Sequence, residues 1–197
     1  MCSWCWGFDR VYAQLLKALP DSFEVVRLLG GLAPDSGEPM PMEMRAYLQK
    51  TWKTIEKTIP GTRFNHDFWT DCQPRRSTWP ACRAVIAARD QSMEFDPAMT
   101  SAIQRGYYLQ AKNPSDDSIL IEFATQIGLN EIAFTRELNS RHTREQLEQE
   151  MTCSRQLGVR GFPSLLVLHG DAASLIKIDY NDANVMLTDI NSVLAGY

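Results

Sequence analysis

Several features that often reveal a protein's class are missing from this chain of 197 residues. No apolar stretch approaches the length of a membrane-spanning helix, so no transmembrane segment is predicted. Lysine and arginine together number 20 and are scattered along a chain of net charge −4, which argues against a nucleic-acid-binding surface. The first residues lack the basic and apolar segments of a signal peptide, so we expect a cytoplasmic location.

Cysteine and histidine are also scarce. The five cysteines are an odd number, and a chain that is 44% apolar can build a core without cross-links, so permanent disulfides are not expected. The three histidines, His66, His142 and His169, show no spacing typical of a catalytic triad or of a metal site. We therefore predict no metal site built on these histidines, and no metal-binding residue is assigned.

The most informative stretch that is present is Cys2-Ser3-Trp4-Cys5. Apolar residues recur at helical spacing from Cys5 to Leu19, so the two cysteines stand at the start of a predicted helix. There the free N–H groups and the positive end of the helix dipole favour a thiolate, which is the nucleophile of disulfide exchange. A second thiol three residues away can resolve a mixed disulfide. A lone pair with this spacing also forms half of many zinc sites, and this alternative stays open here.

The order of the predicted elements indicates an α/β fold with a helical insertion. Residues 23–29 have the apolar content of a buried strand, and residues 164–194 predict two strands and a helix. The sequence between them is mostly helical in pattern. We expect residues 1–33 and 158–197 to form one discontinuous α/β domain, and residues 34–157 to form an all-helical insertion at the end that carries the cysteines.

A second short motif, Gly158-Val159-Arg160-Gly161-Phe162-Pro163-Ser164, lies between a predicted helix and a predicted strand. Glycine supplies conformational freedom for the turn, and proline suits the first position of a strand. Cis peptide bonds are nearly confined to X–Pro bonds, so the bond before Pro163 is a candidate for the cis form. An ordinary helix-to-strand turn explains the same residues equally well.

Together these motifs resemble those of the DsbA family of thioredoxin-fold proteins. The shared pattern is a Cys-x-x-Cys pair opening a helix, a helical insertion, and Gly-Val-x-Gly-x-Pro before two strands and a helix. The stretches at residues 1–8 and 75–84 are similar to the FrnE-like cytoplasmic branch in particular. The resemblance covers essentially the whole chain, and it implies a thioredoxin-like fold and a protein disulfide oxidoreductase of the disulfide isomerase kind.

The resemblance also assigns roles to individual residues. It implies that Cys2 is the attacking thiolate and that Cys5 is the resolving thiol. It further implies that Pro163 is a cis-proline facing the pair, and that the backbone of Phe162 pairs with a bound substrate chain as an added strand. The predicted site comprises catalytic Cys2 and Cys5, and substrate-binding Ser3, Trp4, Phe162 and Pro163.

The predicted partners are proteins or peptides that carry thiols or disulfides, with no nucleic acid and no membrane among them. No cofactor is predicted, and glutathione is a candidate co-substrate. Ser3 offers only a hydroxyl to the thiolate, whereas a histidine would offer a positive charge. We therefore expect a pair that is less oxidising than a Cys-Pro-His-Cys pair.

One departure from the family pattern concerns the N-terminus. The family has a strand of the sheet directly before the cysteine pair, and this strand is absent from a sequence that starts at Met1. A sheet without a central strand would expose two unpaired edges. Either another segment replaces the strand or the polypeptide begins upstream of Met1, and the second is our expectation.

Two other functions remain open. The same fold carries a glutathione-using branch, the kappa-type glutathione transferases and 2-hydroxychromene-2-carboxylate isomerases, in which the second cysteine is dispensable. A non-catalytic peptide-binding or chaperone module would use the proline loop and nearby aromatic residues. Of the remaining cysteines, Cys82 is expected to be a buried apolar residue or an accessory thiol, Cys72 lies in a predicted loop, and Cys153 is expected to be structural.

Overall fold

The computed structural model describes residues 1–196, which form nine helices and one two-stranded sheet. The helices are α1 Ser3–Ala18, α2 Met42–Thr58, α3 Phe68–Asp71, α4 Trp79–Arg89, α5 Phe95–Leu109, α6 Asp117–Gln126, α7 Glu131–Leu138, α8 Arg141–Gln156 and α9 Ala183–Ala195. The strands are β1 Leu165–His169 and β2 Ala172–Ile176. Position 197, where the second segment of the predicted α/β domain ends, lies outside the described residues. The domain boundaries stay a prediction.

The two strands form the predicted hairpin. They are antiparallel, with His169 opposite Ala172 at the end next to the turn. Gly170 in the turn has φ +57°, a conformation that glycine adopts without the steric cost of a side chain. Val167 and Ile176 are buried on one face of the hairpin and belong to the same hydrophobic cluster as α1 and α9.

Helix α1 packs into this cluster because its apolar residues recur every three or four positions. Phe8, Val11 and Leu15 are buried, and each contributes roughly 1.5–3 kcal/mol by leaving water. Met186 and Ile190 of α9 complete the cluster. The N-terminal helix and the C-terminal elements thus share one core, as expected of a thioredoxin-like fold.

The chain from α2 to α8 is mostly helical, as predicted, and has cores of its own. One of them, which we call the aromatic cluster, is built from α2, α3, α5 and the loop before α3. Its ring-bearing members are Trp52, Phe64, Phe68, Trp69, Tyr107 and Tyr108. Met1, Trp4 and Trp6 pack against it, so it lies beside the start of α1. Among the described residues, no helix is both long and apolar enough to cross a membrane.

The strand predicted at residues 23–29 is wrong. This segment forms no strand, and the only ladder among residues 1–196 joins β1 to β2. Val25 and Val26 are 49% and 69% exposed, although their apolar character suggested burial. The physical reason is that a strand needs a neighbour for its backbone groups, and the described part of the chain offers none at this place.

Residues 23–29 are held to the helices by buried ion pairs and hydrogen bonds instead of by strand pairing. Arg27 forms an ion pair with Asp96 of α5, and Asp96 also accepts from Arg89 of α4 at 2.8 Å. Arg89 reaches Glu150 of α8 at 2.7 Å, and the Glu150 carboxylate accepts the backbone N–H of Leu29 at 2.7 Å. The segment after α1 is thus tied to three helices of the middle region by a charge network.

Candidate active site

The sulfur of Cys2 caps the first turn of α1. Cys2 has an extended backbone at φ −98°, and its Sγ accepts the backbone N–H of Cys5 at 3.3 Å. Its carbonyl oxygen accepts from Cys5 and Trp6 at 3.1 and 3.3 Å. The sulfur occupies the place that a serine or aspartate oxygen takes in most helix caps. Negative charge is favoured there, because the N–H groups point toward it.

The surroundings of the two free thiols, Cys2 and Cys5, shift their pKa values in opposite directions. The hydrogen bond from the Cys5 thiol lowers the pKa of Cys2 to about 7, helped by backbone N–H groups and the N-terminal amine and opposed by burial. Donation to Cys2 raises the pKa of Cys5 above its ordinary value, and burial and the charge of Cys2 add to this rise. The pair therefore loses its first proton from Cys2, while Cys5 stays protonated.

The loop before β1 reaches the same place. The Phe162–Pro163 peptide bond is cis, and the Phe162 carbonyl oxygen lies 3.2 Å from Cys2 Sγ, from which it accepts a hydrogen bond when Cys2 is a thiol. Ser164 Oγ donates to the Gly161 carbonyl at 2.7 Å and closes the turn. Residues 160 positions apart are thus brought together in one site.

The Phe162 ring is packed away from the cysteine pair. It lies against Gly30, where an added Cβ would come within 2.0 Å of the ring. The next residue, Gly31, has φ +54° and is closed in by Met151 and Trp79. The side chain of Phe162 is therefore half-buried against the segment that follows α1, while its carbonyl group faces Cys2.

Ser3 and Trp4 differ in what they offer to a substrate. Ser3 is buried, and its Oγ accepts the indole N–H of Trp52 at 2.9 Å, so its hydroxyl belongs to the interior beneath the pair. Trp4 is half-buried, and its ring lies 5.2 Å from that of Tyr180. Of these two predicted substrate-binding residues, Trp4 is the one with an accessible surface beside the cysteines.

Tyr180 is a site residue that the sequence did not indicate. It lies in the loop between β2 and α9, and its ring also contacts Phe8, at 6.0 Å between ring centres. Burial raises the pKa of Tyr180 to about 12, and the charges of Cys2 and Cys5 add to the effect. The only available signal was an aromatic residue in a short polar loop, which is too common to be informative.

The other three cysteines lie outside the pair. Cys72 donates its thiol to the Ala111 carbonyl at 2.8 Å, and burial raises its pKa. Cys82 is half-buried beside Trp79 in a small cluster on α4 and α8, and burial raises its pKa as well. Cys153, which was expected to be structural, is exposed on α8.

Comparison with known proteins identifies the family. The model of the DSBA-like thioredoxin domain matches residues 1–182. The chain belongs to this family. The thioredoxin-like fold that the sequence predicted is thereby confirmed, with the difference that the sheet of residues 1–196 has two strands.

Solved structures give the same fold. A candidate protein disulfide isomerase from Nitrosomonas europaea is 26% identical, with a TM-score of 0.83 over 100% of this chain and 94% of its own. The cytosolic disulfide reductase DsbM from Pseudomonas aeruginosa is 20% identical, with a TM-score of 0.79 over 100% and 96% of the two chains. Its structure with GSH gives 19% identity and a TM-score of 0.76 over 99% and 95%.

A different name occurs among curated relatives. The ClpXP adapter protein SpxH of Halalkalibacterium halodurans is 22% identical over 170 residues, which are 84% of this chain and 55% of that protein. SpxH of Bacillus subtilis is 21% identical over 84% of this chain and 54% of its own length. The chain thus spans about half the length of the curated relatives that it matches.

Proposed function

We propose that this member of the DSBA-like thioredoxin family catalyses thiol–disulfide exchange through Cys2 and Cys5. The observation that carries the proposal is the Cys2 sulfur at the start of α1, where it accepts the Cys5 backbone N–H at 3.3 Å beside a second free thiol. This arrangement lowers the pKa of Cys2 to about 7 and raises the pKa of Cys5. A thiolate that forms near neutral pH, beside a thiol that keeps its proton, suits an attacking group and a resolving group.

The exchange proceeds in two balanced steps. The Cys2 thiolate attacks one sulfur of a substrate disulfide, a mixed disulfide forms, and the other substrate sulfur leaves as a thiolate and takes up a proton. Cys5 then gives up its proton and attacks the Cys2 sulfur, which forms the Cys2–Cys5 disulfide and releases the second substrate thiolate. Two electrons pass from the cysteine pair to the substrate, and the reverse sequence oxidises a substrate dithiol.

The Phe162 carbonyl has a part in substrate binding in this proposal. It accepts from the Cys2 thiol at 3.2 Å, and this bond is lost when Cys2 ionises. The freed oxygen is then available to a backbone N–H of an extended substrate chain, in the manner of an added strand. Trp4 and the cis Pro163 would border that chain. Ser3 is buried, so it is left out of the proposed substrate-binding residues.

Insulin reduction in the presence of dithiothreitol tests the proposal. Wild type is expected to accelerate the precipitation of reduced insulin, Cys2→Ser to be inactive, and Cys5→Ser to accumulate a mixed disulfide visible by mass spectrometry. Cys153→Ser, which removes an exposed thiol far along the sequence, serves as the control. A wild type no faster than Cys2→Ser would refute the proposal.

The proposal includes disulfide isomerase activity. Recovery of the native disulfides of a scrambled substrate protein in a reducing buffer tests this activity.

Glutathione is proposed as the thiol that recycles the pair in a cytoplasmic setting. Support comes from DsbM, a neighbour of the same fold whose structure was solved with GSH. Two molecules of glutathione reduce the Cys2–Cys5 disulfide and leave as glutathione disulfide. We expect turnover with glutathione and glutathione reductase as the only source of electrons.

Activity toward a small electrophile that persists in Cys5→Ala would instead favour a glutathione transferase or isomerase.

A second candidate function is a non-catalytic adapter that binds a protein partner. It is favoured by the SpxH relatives, whose name describes a ClpXP adapter. The double variant Cys2→Ser, Cys5→Ser separates the two functions. Full peptide binding by this variant, together with a wild type that lacks reductase activity, would favour the adapter.

A further inference from the structure

Two aromatic rings form an apolar surface at the cysteine pair, which we call the Trp4–Tyr180 surface. Trp4 lies between the two cysteines in the first turn of α1, and its ring centre is 5.2 Å from that of Tyr180, with the planes tilted by 53°. Both side chains are half-buried, so each keeps a part that a substrate can reach. Apolar surface next to a reacting group can bind a side chain of the substrate.

Tyr180 holds this surface in a fixed position. Its ring meets Phe8 of α1 edge-on, at 6.0 Å between ring centres, and it packs against both the aromatic cluster and the cluster that contains the hairpin. The loop around Tyr180 is closed by Asp179, whose carboxylate accepts the backbone N–H groups of Asn181 and Asp182 at 2.8 and 2.9 Å. A surface that is rigid before binding loses little conformational entropy when a substrate side chain packs on it.

Ionic groups contribute little to this surface. Apart from burial, the groups that shift the pKa values of Cys5 and Tyr180 are the active-site sulfurs and, for Cys5, the N-terminal amine. Within residues 1–196, no lysine, arginine, aspartate or glutamate side chain is among them. A charged substrate group would therefore lose hydration here without gaining a partner, whereas an apolar group would gain from leaving water.

Strand geometry determines which substrate residue can reach the surface. In the proposed complex the substrate chain is extended along the Phe162 carbonyl, and its cysteine points to Cys2. Side chains of an extended chain alternate, so a residue two positions from that cysteine points to the same side, about 6.6 Å along the chain. Trp4 follows Cys2 by two residues within one helical turn, whose pitch is about 5.4 Å, so the two spacings are comparable.

We propose that Trp4 and Tyr180 form a subsite that binds an aromatic or large aliphatic side chain two positions from the substrate cysteine. The inference rests on the proposed thiol–disulfide exchange and deepens it by naming the substrate class. This class is polypeptides whose apolar residues are exposed near a cysteine, as in unfolded proteins. Glutathione disulfide, which has no apolar side chain, gains nothing from the subsite.

Matched peptide disulfides test the subsite. Symmetric disulfide dimers are made from a short glycine–serine peptide with a central cysteine and one phenylalanine, placed one or two positions before or after the cysteine. Reduced protein is mixed with each dimer, and the second-order rate constant for release of peptide thiol is compared with that of the peptide without phenylalanine. Phenylalanine two positions away, on at least one side, should raise the rate constant by about threefold to tenfold, the value of one aromatic contact. Phenylalanine one position away should change it by less than about twofold, because its side chain points away from the surface.

Variants of the two rings show whether they cause this preference, which is the ratio of the rate constants with and without phenylalanine. Trp4→Ala and Tyr180→Ala should each lower the ratio to below about twofold, and either variant suffices if the other fails to fold. The ratio is used because replacing Trp4, between the cysteines, can change their reactivity toward every peptide. Tyr180→Phe keeps the ring and should keep the ratio, as should Ile132→Ala, which removes an exposed apolar side chain on α7.

Two kinds of failure can be told apart. Equal rate constants for all phenylalanine positions in wild type, or an unchanged ratio in a folded alanine variant of either ring, would overturn the inference. A wild type that releases no thiol from any dimer would instead refute the proposed exchange on which the inference rests.

Discussion

The ring of Phe162 lies so close to Gly30 that any side chain at position 30 would overlap it: an added Cβ would come within 2.0 Å of ring atom Cζ. The loop that presents the Phe162 carbonyl to Cys2 is therefore seated on a bare stretch of backbone. The Phe162 ring fits only because residue 30 has no side chain, and the packing of the ring against Gly30 supports the proline loop.

Gly30→Ala should displace the proline loop and destabilise the protein by about 1–3 kcal/mol, the usual cost of overpacking. Urea unfolding measures the loss, and the insulin assay reports the displaced loop. In the double variant with Phe162→Ala this penalty should disappear, giving a coupling free energy of roughly 0.5–3 kcal/mol. The control is Gly37→Ala, where an added Cβ meets no atom within 4 Å. Additive effects of the two substitutions would contradict the packing relationship.

The stability of the reduced protein should depend on pH through Cys2. Its pKa is lowered from an ordinary 9.0 to about 7 on folding, so the folded state binds fewer protons than the unfolded state between these values. Stability relative to Cys2→Ser should therefore rise from pH 7 to pH 8.5 and be lost as the pH falls through 7. Urea midpoints of both proteins across this range check the sign. A difference that does not vary with pH would show that Cys2 is not preferentially ionised in the fold.

Asp96→Asn should be strongly destabilising. The buried Asp96 carboxylate pairs with both Arg27 and Arg89, and its removal leaves two guanidinium groups without their shared partner. We expect a loss of about 3–5 kcal/mol by chemical unfolding, as for other broken buried pairs. Glu145→Gln breaks the exposed pair with Arg141 and should cost less than about 0.5 kcal/mol. Similar costs for the two variants would mean that the buried network does not hold the segment after α1.

Tyr180→Ala should weaken substrate binding more than it slows chemistry. Tyr180 supports the ring of Trp4 beside the cysteines, so its loss frees Trp4 and should raise KM for a disulfide-bonded peptide by about threefold to tenfold, the value of one aromatic pair. Tyr180→Phe keeps the ring and should keep KM. Tyr47→Ala, on the exposed surface of α2, is the control. A fall in kcat with constant KM would instead assign Tyr180 to the chemical step.

The elements that depend on neighbouring residues were predictable from the sequence. The hairpin of β1 and β2 follows from two apolar runs around Gly170, and the helix after Cys2 follows from apolar spacing. The cysteine pair and the Phe162 loop were also found, because each carries a short motif of unusual composition. In all of these cases the physical cause lies within a few residues of the effect.

What depends on distant partners was not predictable. Residues 23–29 have the composition of a strand, but a strand also needs a neighbour, and pairing is decided by the rest of the chain. The hydroxyl of Ser3 was expected at the thiolate, yet Trp52, 49 positions away, determines its direction. Tyr180 carries no motif, so its packing against Trp4 could be seen only once the chain was folded.

The capping role of the Cys2 sulfur makes the first turn of α1 sensitive to oxidation. A charged sulfur accepts the amide proton of Cys5 more strongly than the neutral sulfur of a disulfide does. Oxidation of the pair therefore weakens the hydrogen bond that caps α1, and reduction strengthens it again. Hydrogen exchange at the Cys5 amide should accordingly be slower in the reduced protein, so that the exchange rate of this amide reports the redox state of the cysteine pair.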